Sequence, residues 1–177
     1  LVDGGGTSTI NFNNGGVIDM QPAGDATPGN LTVDILSGSG TIADAANVTT
    51  TTRLMPGAAF TAGTLTVGGD LTLAANAVCD YTLTDATTVG GGVNDLVSVS
   101  GNLTLNSNLL SFASLSPTLA SGSYRLMNYG GVLSGTLSLT NPTRYNLALD
   151  YATPNQINLV NAGGAPLDNI SSISNIG

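Results

Sequence analysis

The 177-residue chain has no histidine, glutamate, lysine or tryptophan, and it has a single cysteine. Without His, Glu or Lys, general acid–base chemistry falls mainly to Asp and Tyr. Eleven Asp residues carry all the negative charge and Arg53, Arg125 and Arg144 all the positive, for a net charge of -8. So few cations cannot neutralise phosphates, which excludes nucleic acid and anionic membrane surfaces as partners. Cys79 has no partner for an internal disulfide; within the alternating segment Ala77–Leu83 it reads as a small buried apolar side chain. No apolar run is long enough for a membrane helix, so membrane insertion is not expected. No signal peptide stands at Leu1, and a start without Met points to a processed or excised chain.

What the chain does have is Gly, Thr, Ser and Asn, with an apolar fraction of 41%. Apolar and polar residues alternate, as half-buried strands require, and this argues against disorder. One short phrase recurs five times: Gly29-Asn30-Leu31-Thr32-Val33, Gly63-Thr64-Leu65-Thr66-Val67, Gly69-Asp70-Leu71-Thr72-Leu73, Gly101-Asn102-Leu103-Thr104-Leu105 and Gly135-Thr136-Leu137-Ser138-Leu139. Each copy is a turn followed by an alternating strand. The leading glycines are 34, 6, 32 and 34 residues apart, and such near-fixed periods mark stacked repeats. An Asp-only acidic set agrees, because Asp and Asn suit turns whereas Glu and Lys suit helices.

These features predict an all-β chain, a β-solenoid over residues 1–160, with 1–28 as first coil or N-terminal cap and 161–177 as a non-repeat tail. Short strands are expected at Thr9–Phe12 and Val17–Met20, then others between turn signals such as Pro56-Gly57, Gly90-Gly91-Gly92 and Asn141-Pro142. With coils of about 20 to 25 residues the chain makes seven or eight turns, a rod of about 35 to 40 Å. Over 120–160 the repeats are least regular, and hairpins or a sandwich stay open there.

Between about residues 36 and 160 the chain also resembles a known family. Ser37-Gly38-Ser39-Gly40-Thr41-Ile42, Asn47-Val48-Thr49, Met55-Pro56-Gly57, Gly63–Leu73, Asn94–Leu105 and Gly122–Gly131 are similar to the repeats of autotransporter passenger domains and related exported bacterial proteins. That resemblance implies a right-handed parallel β-helix, an extracellular or cell-surface location, and a role as stalk, adhesin or matrix protein.

Four groups of residues are candidates for chemistry or binding. Asp80, Asp85 and Asp95 form the nearest acidic cluster. Carboxylate pairs of this kind serve polysaccharide-active enzymes, but an outward strand position for Asp80 and turn positions for the other two are the favoured reading. Gly90–Leu96 approximates a glycine–aspartate calcium loop, with Val93 where that motif needs glycine and a single copy where it needs several, so an ordinary loop is favoured. Neither a cofactor nor a metal is expected. The sequons at Asn30, Asn47, Asn102 and Asn169 read as by-products of the repeat. In Tyr145–Tyr151 alternation puts Tyr145, Leu147, Leu149 and Tyr151 on one face; Tyr145, Asp150 and Tyr151 are a glycan-binding candidate, against burial of that face on the last coil.

The tail spaces Leu167, Ile170, Ile173 and Ile176 three apart after Pro166. It is expected either to dock on another copy by edge addition or to cap its own rod. The function predicted is non-enzymatic and structural: copies join end to end into an extracellular filament or surface matrix. A monomeric adhesin or glycan-binding stalk is the alternative, and a polysaccharide-active enzyme ranks third.

Overall fold

The computed structural model describes residues 6–20, 27–140 and 145–163. Every described element is a strand or a turn. In chain order the first half contains β1 (Thr9–Ile18), β2 (Asn30–Ile42), β3 (Asn47–Pro56), β4 (Thr64–Val67), β5 (Leu71–Leu73), β6 (Val78–Leu83) and β7 (Leu96–Val99). The second half contains β8 (Leu103–Thr104), β9 (Asn108–Leu115), β10 (Gly122–Tyr129), β11 (Leu133–Ser134), β12 (Leu137–Leu139), β13 (Leu147–Asp150) and β14 (Gln156–Asn161). All fourteen are joined by hydrogen bonds into one sheet of mixed sense.

The pairing resolves into three columns of parallel strands. In the first, Leu31, Val48, Leu71, Leu103 and Leu133 lie side by side on β2, β3, β5, β8 and β11. The second column aligns Ile10, Leu36, Leu54, Cys79, Leu110 and Leu139 on β1, β2, β3, β6, β9 and β12. The third aligns Gly40, Leu65, Val97 and Met127 on β2, β4, β7 and β10. The column residues Leu36, Leu54, Leu65, Leu71, Cys79, Val97, Leu103 and Met127 are fully buried and form one continuous core. Strand alternation is the cause: Thr64–Val67 and Leu71–Leu73 bury every second side chain and turn threonine outward.

Two sequence expectations change here. The five near-copies are not equivalent, since those at Leu31, Leu71 and Leu103 fall in the first column, that at Leu65 in the third and that at Leu137 in the second. The spacing along the columns is also less regular than expected among the described residues. First-column residues are 17, 23, 32 and 30 positions apart, and five stacked strands in that column span only about 20 Å. The reason is corner size. β2 passes from the second column to the third within one strand, bending at Gly38 (φ 96°), whereas β6 and β7 are separated by Thr84–Asp95.

The expected pair of strands within 1–28 is one strand, β1, broken by a register shift between Phe12 and Gly16. A purely parallel coil also fails at the C-terminal end. β14 pairs antiparallel with β10, and β13 antiparallel with β14. Only the short turn Tyr151–Asn155 separates β13 from β14, where Asp150 Oδ1 accepts the Ala152 N–H and Asn155 sits at φ 63°; so short a connection permits only an antiparallel return.

The repeat's leading glycines are needed because successive turns approach closely. A Cβ at Gly69 would lie 2.3 Å from the Ala46 carbonyl oxygen, and one at Gly101 would lie 2.1 Å from Asp70 Oδ1. One core position breaks the apolar rule. Thr50, fully buried between Val33 and Leu73 in the first column, has a hydroxyl with no hydrogen-bond partner. Thr50→Val keeps the shape and removes that desolvated hydroxyl, so it is expected to raise stability by about 1–2 kcal/mol in urea titration.

Candidate functional site

The polar residues with defined partners sit mainly at the corners between columns. At the entry to the first column stand Asn30, Asn47, Asp70 and Asn102, each just before a core residue. Asn47 Nδ2 donates to Asn30 Oδ1 (3.2 Å). The Asn102 N–H and Nδ2 donate to Asp70 (2.7 and 3.1 Å), and Asn102 Oδ1 accepts the Val132 N–H at 2.8 Å. This ladder explains the Asn or Asp after glycine in the copies at Leu31, Leu71 and Leu103: the side chain ties one turn to the next. Three of the four sequons fall on the ladder, with the amides of Asn47 and Asn102 engaged in it; Asn169 lies outside the described residues.

Three buried asparagines play the same part inside the corners. Asn108 Nδ2 donates to the carbonyls of Ala74 and Ala77 (2.7 and 3.0 Å), and its Oδ1 accepts the Asn106 N–H. Asn161 Nδ2 donates to those of Leu119 and Ala120. Asn94 holds the largest insertion, donating to Ala86 and Thr88 (2.7 Å each) and accepting from the Thr84 N–H (2.8 Å).

Next to it, fully buried Asp95 accepts the Gly63 N–H at 2.7 Å with one oxygen and the Thr82 N–H at 2.6 Å with the other. Burial pushes its carboxyl up to about 7, against the lowering effect of the N–H groups of Thr82 and Gly63. Gly90, Gly91 and Gly92 all adopt positive φ in the same loop. Asn94 and Asp95 are thus spent on backbone groups: Asn94 closes its own loop, and Asp95 ties that loop to Gly63 and Thr82.

The acidic cluster read from the sequence does not assemble. Asp80 pairs with Arg53 Nε at 3.1 Å on the outside of the second column, Asp85 is exposed, and Asp95 faces the corner. Asp80 is itself buried beneath Arg53. Among the described residues no group of three or more His, Cys, Asp or Glu converges as metal ligands would. Near the N-terminal end, Asp34 is held below the usual carboxylate range by hydrogen bonds from the Thr51 hydroxyl and from Ser8. Asp44 is raised by its hydrogen bond to and like charge with Asp19. Cys79 is buried, and burial, with Asp80 beside it, pushes its thiol up to about 12, far from a reactive thiolate.

The tyrosines of the glycan-binding candidate are half-buried against the core. The Tyr145 hydroxyl donates to the Ser116 carbonyl and accepts the Leu119 N–H, Tyr151's accepts the Leu137 N–H, and Asp150 closes its own turn. Their polar atoms brace the last coil. Leu167, Ile170, Ile173 and Ile176 lie outside the described residues.

Phe60 carries no signal in the sequence beyond following Pro56-Gly57. It stands at the tip of a tight turn whose bases, Ala58 and Thr61, exchange both backbone hydrogen bonds at 3.0 Å. Its φ is 67° and it is 75% exposed, an unusual setting for a bulky side chain. Outward residues of the first column, Thr32, Thr49, Thr72, Thr104 and Ser134, are in register across five strands and make a hydroxyl-bearing lateral face.

The architecture therefore defines an all-β chain of stacked parallel strands, with polar groups on its corners and lateral faces. Compared with known proteins, it is similar to the adhesin BmaC autotransporter of Brucella suis biovar 1 (strain 1330), 38% identical over 104 residues. The match covers 58% of this chain and 3% of that protein, so the chain spans a small part of its relative's length. No family model and no solved structure matches it.

Proposed function

We propose that the three columns are the walls of a right-handed β-solenoid and that the chain is a non-enzymatic structural module of an exported, cell-surface adhesin-type protein. The observation that carries this reading is the in-register stacking of the columns, since stacked coils extend a rod and repeat the same side chains along its flanks. Its similarity to the adhesin autotransporter supports the surface setting. The engagement of Asp80, Asp95 and the tyrosine hydroxyls in internal contacts supports a non-enzymatic role. Contact with a cell or glycan surface is then made through a lateral face. Beads coated with the chain are expected to adhere saturably to cultured animal cells, with soluble chain competing. No adhesion above albumin-coated beads at any coating density would reject the adhesive part of the reading.

End-to-end assembly into filaments is a second reading. It is favoured by the outer edges of β11 and β12, which pair with no further strand among the described residues. Closure of the third column by β14 and β13 opposes it. Negative-stain microscopy across a concentration series decides: filaments that lengthen with concentration support assembly, and uniform short particles reject it.

A further inference from the structure

The outward face of the third column carries paired hydroxyls in a groove. Thr41 on β2 lies beside Thr66 on β4, and two residues earlier on the same face stand Ser39 and Thr64. All four are half-buried and alternate with buried positions. Neighbouring hydroxyl-bearing residues are about 4.8 Å apart across the strands and about 6.7 Å apart along them. With Ala62 and Gly92 they line a groove of about 420 Å³. Glycine at 63 leaves room for the Ser39 hydroxyl, since a Cβ there would run into Ser39 Oγ. β1 and β7 flank β2 and β4 in this column, so described strands bound the groove on both sides.

Phe60 belongs to the same neighbourhood. A second groove, of about 300 Å³, shares Ser39 and Ala62 with the first and is bordered by Ala58 and Thr61, the bases of the turn that carries Phe60. That turn presents an aromatic side chain, 75% exposed at φ 67°, where glycine or asparagine would sit with less strain. Strain retained at an exposed aromatic is the kind that functional sites store. Neither groove is lined by an Asp or an Arg, so an ionised ligand meets no counter-charge there. Serine and threonine hydroxyls both donate and accept, which suits a ligand with the same inventory. An aromatic face packs on the C–H face of a sugar ring and leaves the sugar's hydroxyls free to reach such groups. We propose that this face binds an uncharged saccharide, with one sugar ring on Phe60 and the next hydrogen-bonded to Ser39, Thr41, Thr64 and Thr66. The inference rests on the adhesive reading and deepens it by naming the face and the class of ligand.

Binding of the full chain to an array of immobilised neutral oligosaccharides, with sialylated and sulfated ones alongside, tests the proposal. The unsubstituted chain is expected to bind at least one neutral glycan. Phe60→Gly and, separately, Thr41→Val/Thr66→Val are expected to weaken that binding about tenfold. Thr72→Val/Thr104→Val, on the face of the first column, should leave it unchanged. Urea midpoints control for folding: Phe60→Gly should match or exceed the unsubstituted chain, whereas a merely structural Phe60 would lower it. Binding to acidic glycans alone, to no glycan, or equally in every variant would overturn the proposal. Bead adhesion separates it from the reading it rests on. Beads that adhere to cells equally with and without these substitutions overturn the site and leave the adhesive role standing. Adhesion lost in Phe60→Gly yet kept after periodate treatment of the cells overturns it in favour of a protein partner.

Discussion

Replacing Asp95 by Ala is expected to lower stability by about 3–5 kcal/mol, because the buried N–H groups of Gly63 and Thr82 both lose their acceptor. Asp95→Asn is expected to cost less, since one oxygen remains to accept one N–H while the amide nitrogen meets the other. The pair of variants also reads the charge. Burial raises the folded carboxyl from 3.8 to about 7. Above the unfolded value the unfolded chain has released its proton while the folded chain still holds it. The stabilisation from this group is therefore full below pH 4 and declines as pH rises through 7, by on the order of 4 kcal/mol. Urea midpoints measured from pH 4 to 8 should fall with pH in the unsubstituted chain and lie flatter in Asp95→Asn. Equal slopes would show that Asp95 titrates as an ordinary carboxylate.

The second large effect is expected at Leu71→Ala. Leu71 is fully buried between Val48 and Leu103 in the first column, and truncating it opens a cavity bounded by the strands on either side. Loss of about 3–5 kcal/mol follows from the cost of an unrelaxed core cavity. Leu133→Ala, in the same column but half-buried and with no described strand above it, should cost about 1 kcal/mol. Urea denaturation of the two variants checks the ratio. Equal losses would mean that the column does not act as one stacked core.

Both predictions concern residues that sequence reasoning ranks differently. Leu71 lies in the repeat phrase, and its burial follows from alternation alone. Asp95 reads in sequence as a turn residue or as part of a calcium-like loop, because an Asp after a glycine run is the ordinary signature of either. What assigns it to Gly63 and Thr82 is tertiary packing with segments 32 and 13 residues away, which no local pattern encodes. Asn94 escapes notice because its partners lie across its own loop, and Asn108 and Asn161 for the same reason as Asp95. Their partners lie 6 to 10, 31 to 34 and 41 to 42 residues distant, apart from neighbouring N–H groups, and asparagine is common in exposed turns. Alternation over Tyr145–Tyr151 puts both tyrosines on one face, and their hydroxyls contact the backbone of Ser116, Leu119 and Leu137.

By itself the sequence determined that this is a strand-and-turn protein. Alternating Leu and Thr bury one face, Gly-Asn and Gly-Asp steps turn the chain, and eleven Asp against three Arg leave it with a net charge of -8. Tertiary structure alone decided which strand lies on which. The phrase Gly-x-Leu-Thr-Leu has no label for a column, so its copies at Leu65 and Leu137 serve different faces from those at Leu31, Leu71 and Leu103. Register comes from the length of each corner and from the asparagine and aspartate side chains that clamp it, and these are interactions between strands of a column rather than along the chain.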